Sequence, residues 1–188
     1  TEGVQNFVPL PNVGLELDTI TELMPGSRRM QDDTFLLTTV KEELASSSFT
    51  IAHFATHGSF SGDHTESFIL TYDDRLTLNG LRDILAERGD DPLDLLVLSA
   101  CETAAGDDRA ALGLAGVAVQ SGAKSVIATL WQVSDSATTE LISDFYRNLS
   151  PDSTKAASLR QAQLALLGTD NWSHPAYWAP FLLIGSWR

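Results

Sequence analysis

This chain of 188 residues has one cysteine, Cys101, so it can form no internal disulfide and a disulfide-stapled fold is excluded. Basic residues are scarce: 12 Lys and Arg stand against 25 Asp and Glu, for a net charge of −13. Gripping a phosphate backbone needs clustered cations, so nucleic acid is disfavoured as a direct partner. No apolar run approaches the ~18 residues of a membrane helix, so no membrane partner is expected. Nor does the start, Thr1-Glu2-Gly3, carry an initiator Met or a basic-then-apolar leader. The expectations are a reducing, cytoplasmic setting and a piece excised from a longer protein. What the chain does have is apolar content, 43%, enough at this length for one domain with a substantial core but too little for two.

The pattern alternates between helix and strand. Leu17, Ile20, Thr21 and Met24 recur at helical spacing within 15–24, and Pro25-Gly26 stops the run. The segment 34–45 repeats that pattern with Leu37, Val40 and Leu44. Phe49 to Ala55 is β-rich and almost continuously apolar, as expected of a parallel strand covered on both faces. After it, 59–65 reads as a mobile polar loop, and Phe68–Tyr72 with Leu76–Leu78 read as a hairpin around Asp73-Asp74. Asn79 is the expected cap of a helix through Glu87, with Gly89 as its stop. Leu93–Leu98 and Lys124–Leu130 are two further buried strands, with a helix capped by Asp107 between them. Ser134 or Asp135 opens a helix through Leu149, Ser153 opens another through Leu167, and Pro180–Gly185 is a final strand. This order predicts an α/β fold: a three-layer α/β/α sandwich on a mainly parallel sheet, with no internal boundary in 1–188.

In open parallel sheets ligands bind beyond the carboxyl ends of the strands. His57 follows one predicted strand and Cys101 another, 44 positions later, enough chain for a crossover between neighbours. A thiol of ordinary pKa, ~8.5, is mostly protonated at neutral pH, so an imidazole within reach would turn it into a nucleophile. Gly58 has no side chain to keep its N–H from a substrate carbonyl, and with the Cys101 N–H it could form an oxyanion hole. Each feature also has a plain reading: a lone cysteine after a strand is often only a small core residue, and His-Gly is often only a turn.

Four blocks in order settle which reading to pursue: Phe54-Ala55-Thr56-His57-Gly58, Leu96-Val97-Leu98-Ser99-Ala100-Cys101-Glu102-Thr103, Ala128-Thr129-Leu130-Trp131-Gln132-Val133-Ser134-Asp135, and His174-Pro175-Ala176-Tyr177-Trp178-Ala179-Pro180-Phe181. Together they resemble the CHAT domain family, caspase-like cysteine peptidase domains joined in bacteria to tetratricopeptide repeats. The likeness runs from about Leu10-Pro11 to Trp187. It implies a caspase-like fold, His57 as general acid and base, Cys101 as nucleophile, Gly58 and the Cys101 amide at the oxyanion, and no cofactor or metal. It also implies a protein or peptide substrate and regulation by an adjacent repeat domain, with weak activity for the isolated chain. Family members begin with a strand ahead of the Leu-Pro block, so a missing N-terminal fragment is a further expected partner.

The same likeness places Ser99, two residues before the nucleophile, at the S1 pocket, with Trp131 a candidate wall. Ser99 offers no carboxylate to a basic P1 side chain and no arginine pair is evident for an acidic one, leaving a small or apolar P1. The rival class is a catalytically silent caspase-like module that recruits partners through its acidic surface. A serine hydrolase built on Ser59 or Ser99 lacks the Gly-x-Ser-x-Gly elbow. His53 and His57 are spaced H-x-x-x-H, but without the intervening glutamate or a helix, so zinc is not expected and His53 reads as a packed histidine. His64 is read as a solvent-facing loop residue, His174 as structural, and Glu102 and Asp135 as helix-start carboxylates.

Overall fold

A computed structural model describes residues 7–46, 49–60, 67–99, 101–103 and 122–188, with backbone only at 60 and 101–103. The expected helix at 107–122 and His64 lie outside the described residues.

The main sheet is built from the runs whose sequences are apolar without alternation. Strands β1 (Ile51–Phe54), β5 (Leu95–Leu98) and β7 (Ser125–Thr129) lie parallel, and β8 (Phe181–Gly185) closes the sheet antiparallel to β7 in the order β1-β5-β7-β8. Register pairs Phe54 with Leu98 and Val97 with Ile127. All four β5 residues are fully buried because both faces are covered. Leu95 and Val97 meet α1 (Val13–Leu23), α4 (Asp135–Asn148) and α5 (Lys155–Leu167), through Ile20, Leu141, Phe145 and Leu159. Leu96 and Leu98 meet α2 (Leu37–Ala45) and α3 (Leu78–Ala86), through Val40, Leu44, Leu81 and Leu85. Each such Leu or Val contributes roughly 1.5–3 kcal/mol by leaving water. The result is the α/β/α sandwich the strand-helix alternation predicts.

A second, smaller sheet sits beyond the carboxyl ends of β1 and β5. Its strands are β2 (Gly58–Phe60), β3 (Phe68–Leu70), β4 (Arg75–Thr77) and β6 (Cys101–Thr103), in the order β4-β3-β2-β6. The predicted hairpin is β3 and β4, antiparallel with Ile69 opposite Leu76. Two expectations need correction here. Gly58–Phe60 is strand, not the start of a loop, because β3 and β6 supply ladders on both its sides. Cys101–Thr103 likewise continues as strand, so Glu102 does not open a helix.

Caps differ in detail from expectation. Thr77, not Asn79, caps α3, its hydroxyl accepting from the Gly80 N–H, and Gly89 follows at φ +58° as the expected stop. Thr154 rather than Ser153 caps α5, accepting from Ala157 N–H. Gly185 ends β8 at φ +102°, with the Lys124 carbonyl where a side chain would stand, so no other residue fits there. Among the described residues no helix is long and apolar enough to cross a membrane.

Candidate functional site

The two sheets meet at the residues the sequence singles out. Three residues, Ala55, Thr56 and His57, link β1 to β2, whereas two sequence positions separate the end of β5 from the start of β6. Both strand pairs remain parallel, so register shifts by one residue across the junction: Phe54 faces Leu98 below it and Gly58 faces Cys101 above it. The longer link belongs to the histidine. His57 therefore occupies the junction next to a glycine that lies directly opposite the backbone of Cys101.

Backbone bonds hold His57 there. Its carbonyl accepts from the Leu70 N–H at 2.8 Å, and the Thr56 hydroxyl donates to the Leu70 carbonyl at 3.0 Å. Since the His57 carbonyl faces β3, the alternation of a strand turns the Gly58 N–H and carbonyl the other way, toward β6 and Cys101. The imidazole is fixed from outside the sheet. Its Nε2 lies 2.7 Å from the Val8 carbonyl, which can only accept, so Nε2 carries the proton. The Phe7 ring lies 5.1 Å from the imidazole and edges against Phe68. Nδ1 has no partner among the described residues. The Cys101 side chain itself is not among those described.

The other predicted residues fall as follows. Ser99 is 2% exposed, and its hydroxyl donates to the Phe54 carbonyl at 3.4 Å, pointing back toward β1. Trp131 stands just past β7 at 41% exposure, its indole N–H donating to the Ala176 carbonyl. His174 has a structural place: its Nδ1 accepts from the Ala176 N–H, capping a short 3-10 turn over Pro175–Tyr177. Asp135 is the first residue of α4, but its carboxylate reaches across to accept from the Asn12 N–H and Nδ2, both at 2.8 Å.

His53 is packed, as expected, but into a network that sequence reasoning missed. Its Nε2 donates to Glu16 Oε1 at 2.8 Å, with both side chains nearly sealed from solvent, and Tyr146 Oη lies 3.2 Å from its Nδ1. Burial, and then the Glu16 charge, push the Tyr146 hydroxyl well above its ordinary pKa, so it stays protonated. A signal for this was available: Glu16 falls on the same helical stripe as Val13 and Ile20, an acid on the buried face of α1.

A family model described as the CHAT domain matches residues 3–186. Tetratricopeptide repeat protein 28 of Mus musculus is 36% identical over 96 residues, which are 49% of this chain and 4% of that protein. Its Homo sapiens counterpart is 31% identical over 97 residues, 50% of this chain and 4% of that protein. The chain thus spans a small fraction of these relatives. By name both are repeat proteins, in keeping with the expected repeat association, and both are mammalian rather than bacterial.

Proposed function

The chain belongs to the CHAT domain family, and we propose that it is a cysteine endopeptidase in which His57 and Cys101 form the catalytic dyad. The observation that carries this reading is the parallel pairing of Gly58 with Cys101, which sets the histidine link beside the cysteine strand at the carboxyl ends of β1 and β5. The Val8 carbonyl supports it by keeping the His57 proton on Nε2.

In the proposed reaction, His57 Nδ1 takes the Sγ proton and the thiolate attacks a peptide carbonyl carbon. The electron pair moves onto the carbonyl oxygen, where the resemblance puts the Gly58 and Cys101 N–H groups; the Gly58 N–H, which faces β6, must leave that ladder to receive it. Such donors are worth roughly 3–4 kcal/mol each in acyl transfer. As the tetrahedral species collapses, the imidazolium gives its proton to the departing amine. Water, deprotonated by Nδ1, then attacks the thioester, releasing the new carboxyl end and returning the proton to sulfur. The dyad needs a free thiol, which agrees with a reducing, cytoplasmic setting.

Specificity for a small or apolar P1 residue belongs to the same proposal: Trp131 is the exposed apolar wall, and Ser99 backs the strand end with no charge to offer. Control by an adjacent tetratricopeptide domain, which the relatives' names support, and weak turnover by the isolated chain belong to the same proposal.

The test is cleavage of a peptide library by the chain joined to its repeat domain. Loss of cleavage in both Cys101→Ala and His57→Ala, with the fold retained, is the expected result. Undiminished cleavage in either variant overturns the dyad. If the wild-type protein shows no turnover and Cys101 alkylates at the rate of an ordinary free thiol, the silent recruiting module takes its place.

A further inference from the structure

We propose that Asp135 is a positioning residue for His57, acting at a distance through a stiff strap formed by Val8-Pro9-Leu10-Pro11-Asn12. The inference rests on the reading of His57 as the base. The strap joins two observed anchors. At one end the Val8 carbonyl accepts from His57 Nε2 at 2.7 Å. At the other, Asp135 Oδ2 accepts from both the N–H and the Nδ2 of Asn12 at 2.8 Å, from 123 residues away in the chain.

Between these anchors the sequence leaves little freedom. Pro9 and Pro11 have φ held near −65°, and the residues before them, Val8 and Leu10, are confined to extended backbone. Four consecutive residues are therefore restricted, and a displacement at Asn12 is carried to Val8 rather than absorbed. A cavity of about 120 Å³ lies between it and the β1 end, lined by Val8, Leu10, Val13, His53, Thr56 and His57. The strap crosses that space between its two anchors. Asp135 suits the duty because it begins α4, where the helix N-terminus favours a carboxylate.

Without the Asp135 anchor, the Val8 carbonyl no longer dictates which imidazole nitrogen holds the proton. His57 then divides between tautomers, and the form with its lone pair on Nδ1 is depleted. A purely structural Asp135 at the start of α4 would leave the ring unchanged.

The experiment uses the full chain, ¹⁵N-labelled, with the His57 ring resonances assigned by their disappearance in His57→Gln. The wild type is expected to show the Nε2–H tautomer, and Asp135→Ala a mixture. Iodoacetamide alkylation of Cys101 is expected to slow by roughly 10- to 100-fold in that variant, the scale of a misplaced reacting group. The conservative variant Asp135→Asn keeps an amide oxygen that can accept from both the Asn12 N–H and its Nδ2, and it is expected to keep the wild-type tautomer. Ser134→Ala, at a cap position whose side chain makes no capping bond, is expected to change nothing. A folded Asp135→Ala protein with an unaltered His57 ring overturns the proposal. If that variant does not fold, Asn12→Ala removes only the side-chain bond, and an unaltered ring there overturns it equally. Peptide cleavage separates the two readings: a tautomer shift in a protein that never cleaves leaves the strap standing and removes the peptidase, whereas cleavage with an unmoved ring does the reverse.

Discussion

His53 and His57 leave the same stretch of chain four residues apart, yet their surroundings differ in the property that decides reactivity. His53 has both ring nitrogens engaged, Nε2 by the Glu16 carboxylate and Nδ1 by the Tyr146 hydroxyl, in a pocket with little access to solvent. His57 has one nitrogen engaged, by a neutral backbone carbonyl, and stands at the junction of the two sheets. A base needs a lone pair that a substrate or nucleophile can reach. The sheet creates the contrast: His53 lies inside β1, where helices cover both faces, and His57 lies beyond its end, where cover stops. One histidine is thereby fitted to hold helices together, and the other is the one the proposed mechanism uses as its base.

The sharpest way to break this comparison is to remove each ring in turn. His57→Ala is expected to lower peptide turnover by at least about 10³-fold, on the scale of other acid-base and nucleophile deletions, while the melting transition stays near that of the wild type. His53→Ala is expected to do the opposite. It strands the buried Glu16 carboxylate, which costs about 3–5 kcal/mol, and the measurable loss is in denaturant midpoint rather than in the reaction of the folded fraction. Equal stability losses in the two variants would show that the histidines are not divided in this way.

Glu16→Ala comes next in size. It leaves the His53 Nε2–H without an acceptor and opens a void beneath α1, and about 3 kcal/mol of stability is expected to be lost in urea titration. Because α1 continues directly from the strap, a matched fall in Cys101 alkylation would mean that the packed histidine also serves the reactive one. Unchanged alkylation would keep their duties separate.

These residues also mark where reading the sequence succeeded and where it stopped. The covered strands were legible because unbroken apolar runs such as Leu95-Leu96-Val97-Leu98 have no other use in a fold of this size. The positions of His57 and Cys101 past the ends of such runs were legible for the same reason, while their chemical roles belong to the proposal. The small sheet was not: Gly58-Ser59-Phe60 has no strand-like periodicity, and only pairing with β3 and β6 makes it a strand. Nor were the cross-chain partners. Asn12 to Asp135 and His53 to Tyr146 join residues more than ninety positions apart, and no local pattern announces such bonds. Val8 contributes through its backbone carbonyl, which every residue possesses, so its identity carried no signal.

The smallest expected effect, and the finest test of the contrast, is Tyr146→Phe. It removes one hydrogen bond from the His53 Nδ1 and leaves that buried nitrogen unpaired, at a cost of about 1 kcal/mol near neutral pH. The pH dependence should then distinguish this bond from general packing. Folding raises the Tyr146 pKa above its unfolded value of 10.0, chiefly by burial and secondarily through the Glu16 charge. A group whose proton is held more tightly in the folded state contributes stability that is complete below the unfolded pKa and is lost as pH rises toward the folded one. The wild type should therefore lose stability above pH 10 through this group, and Tyr146→Phe should not. Unfolding of the two proteins followed in urea from pH 7 to pH 11 should show a gap that is constant up to about pH 10 and narrows beyond it. A gap that stays constant throughout would mean that Tyr146 is as free to ionise folded as unfolded, and His53 would then lack the sealed surroundings that set it apart from His57.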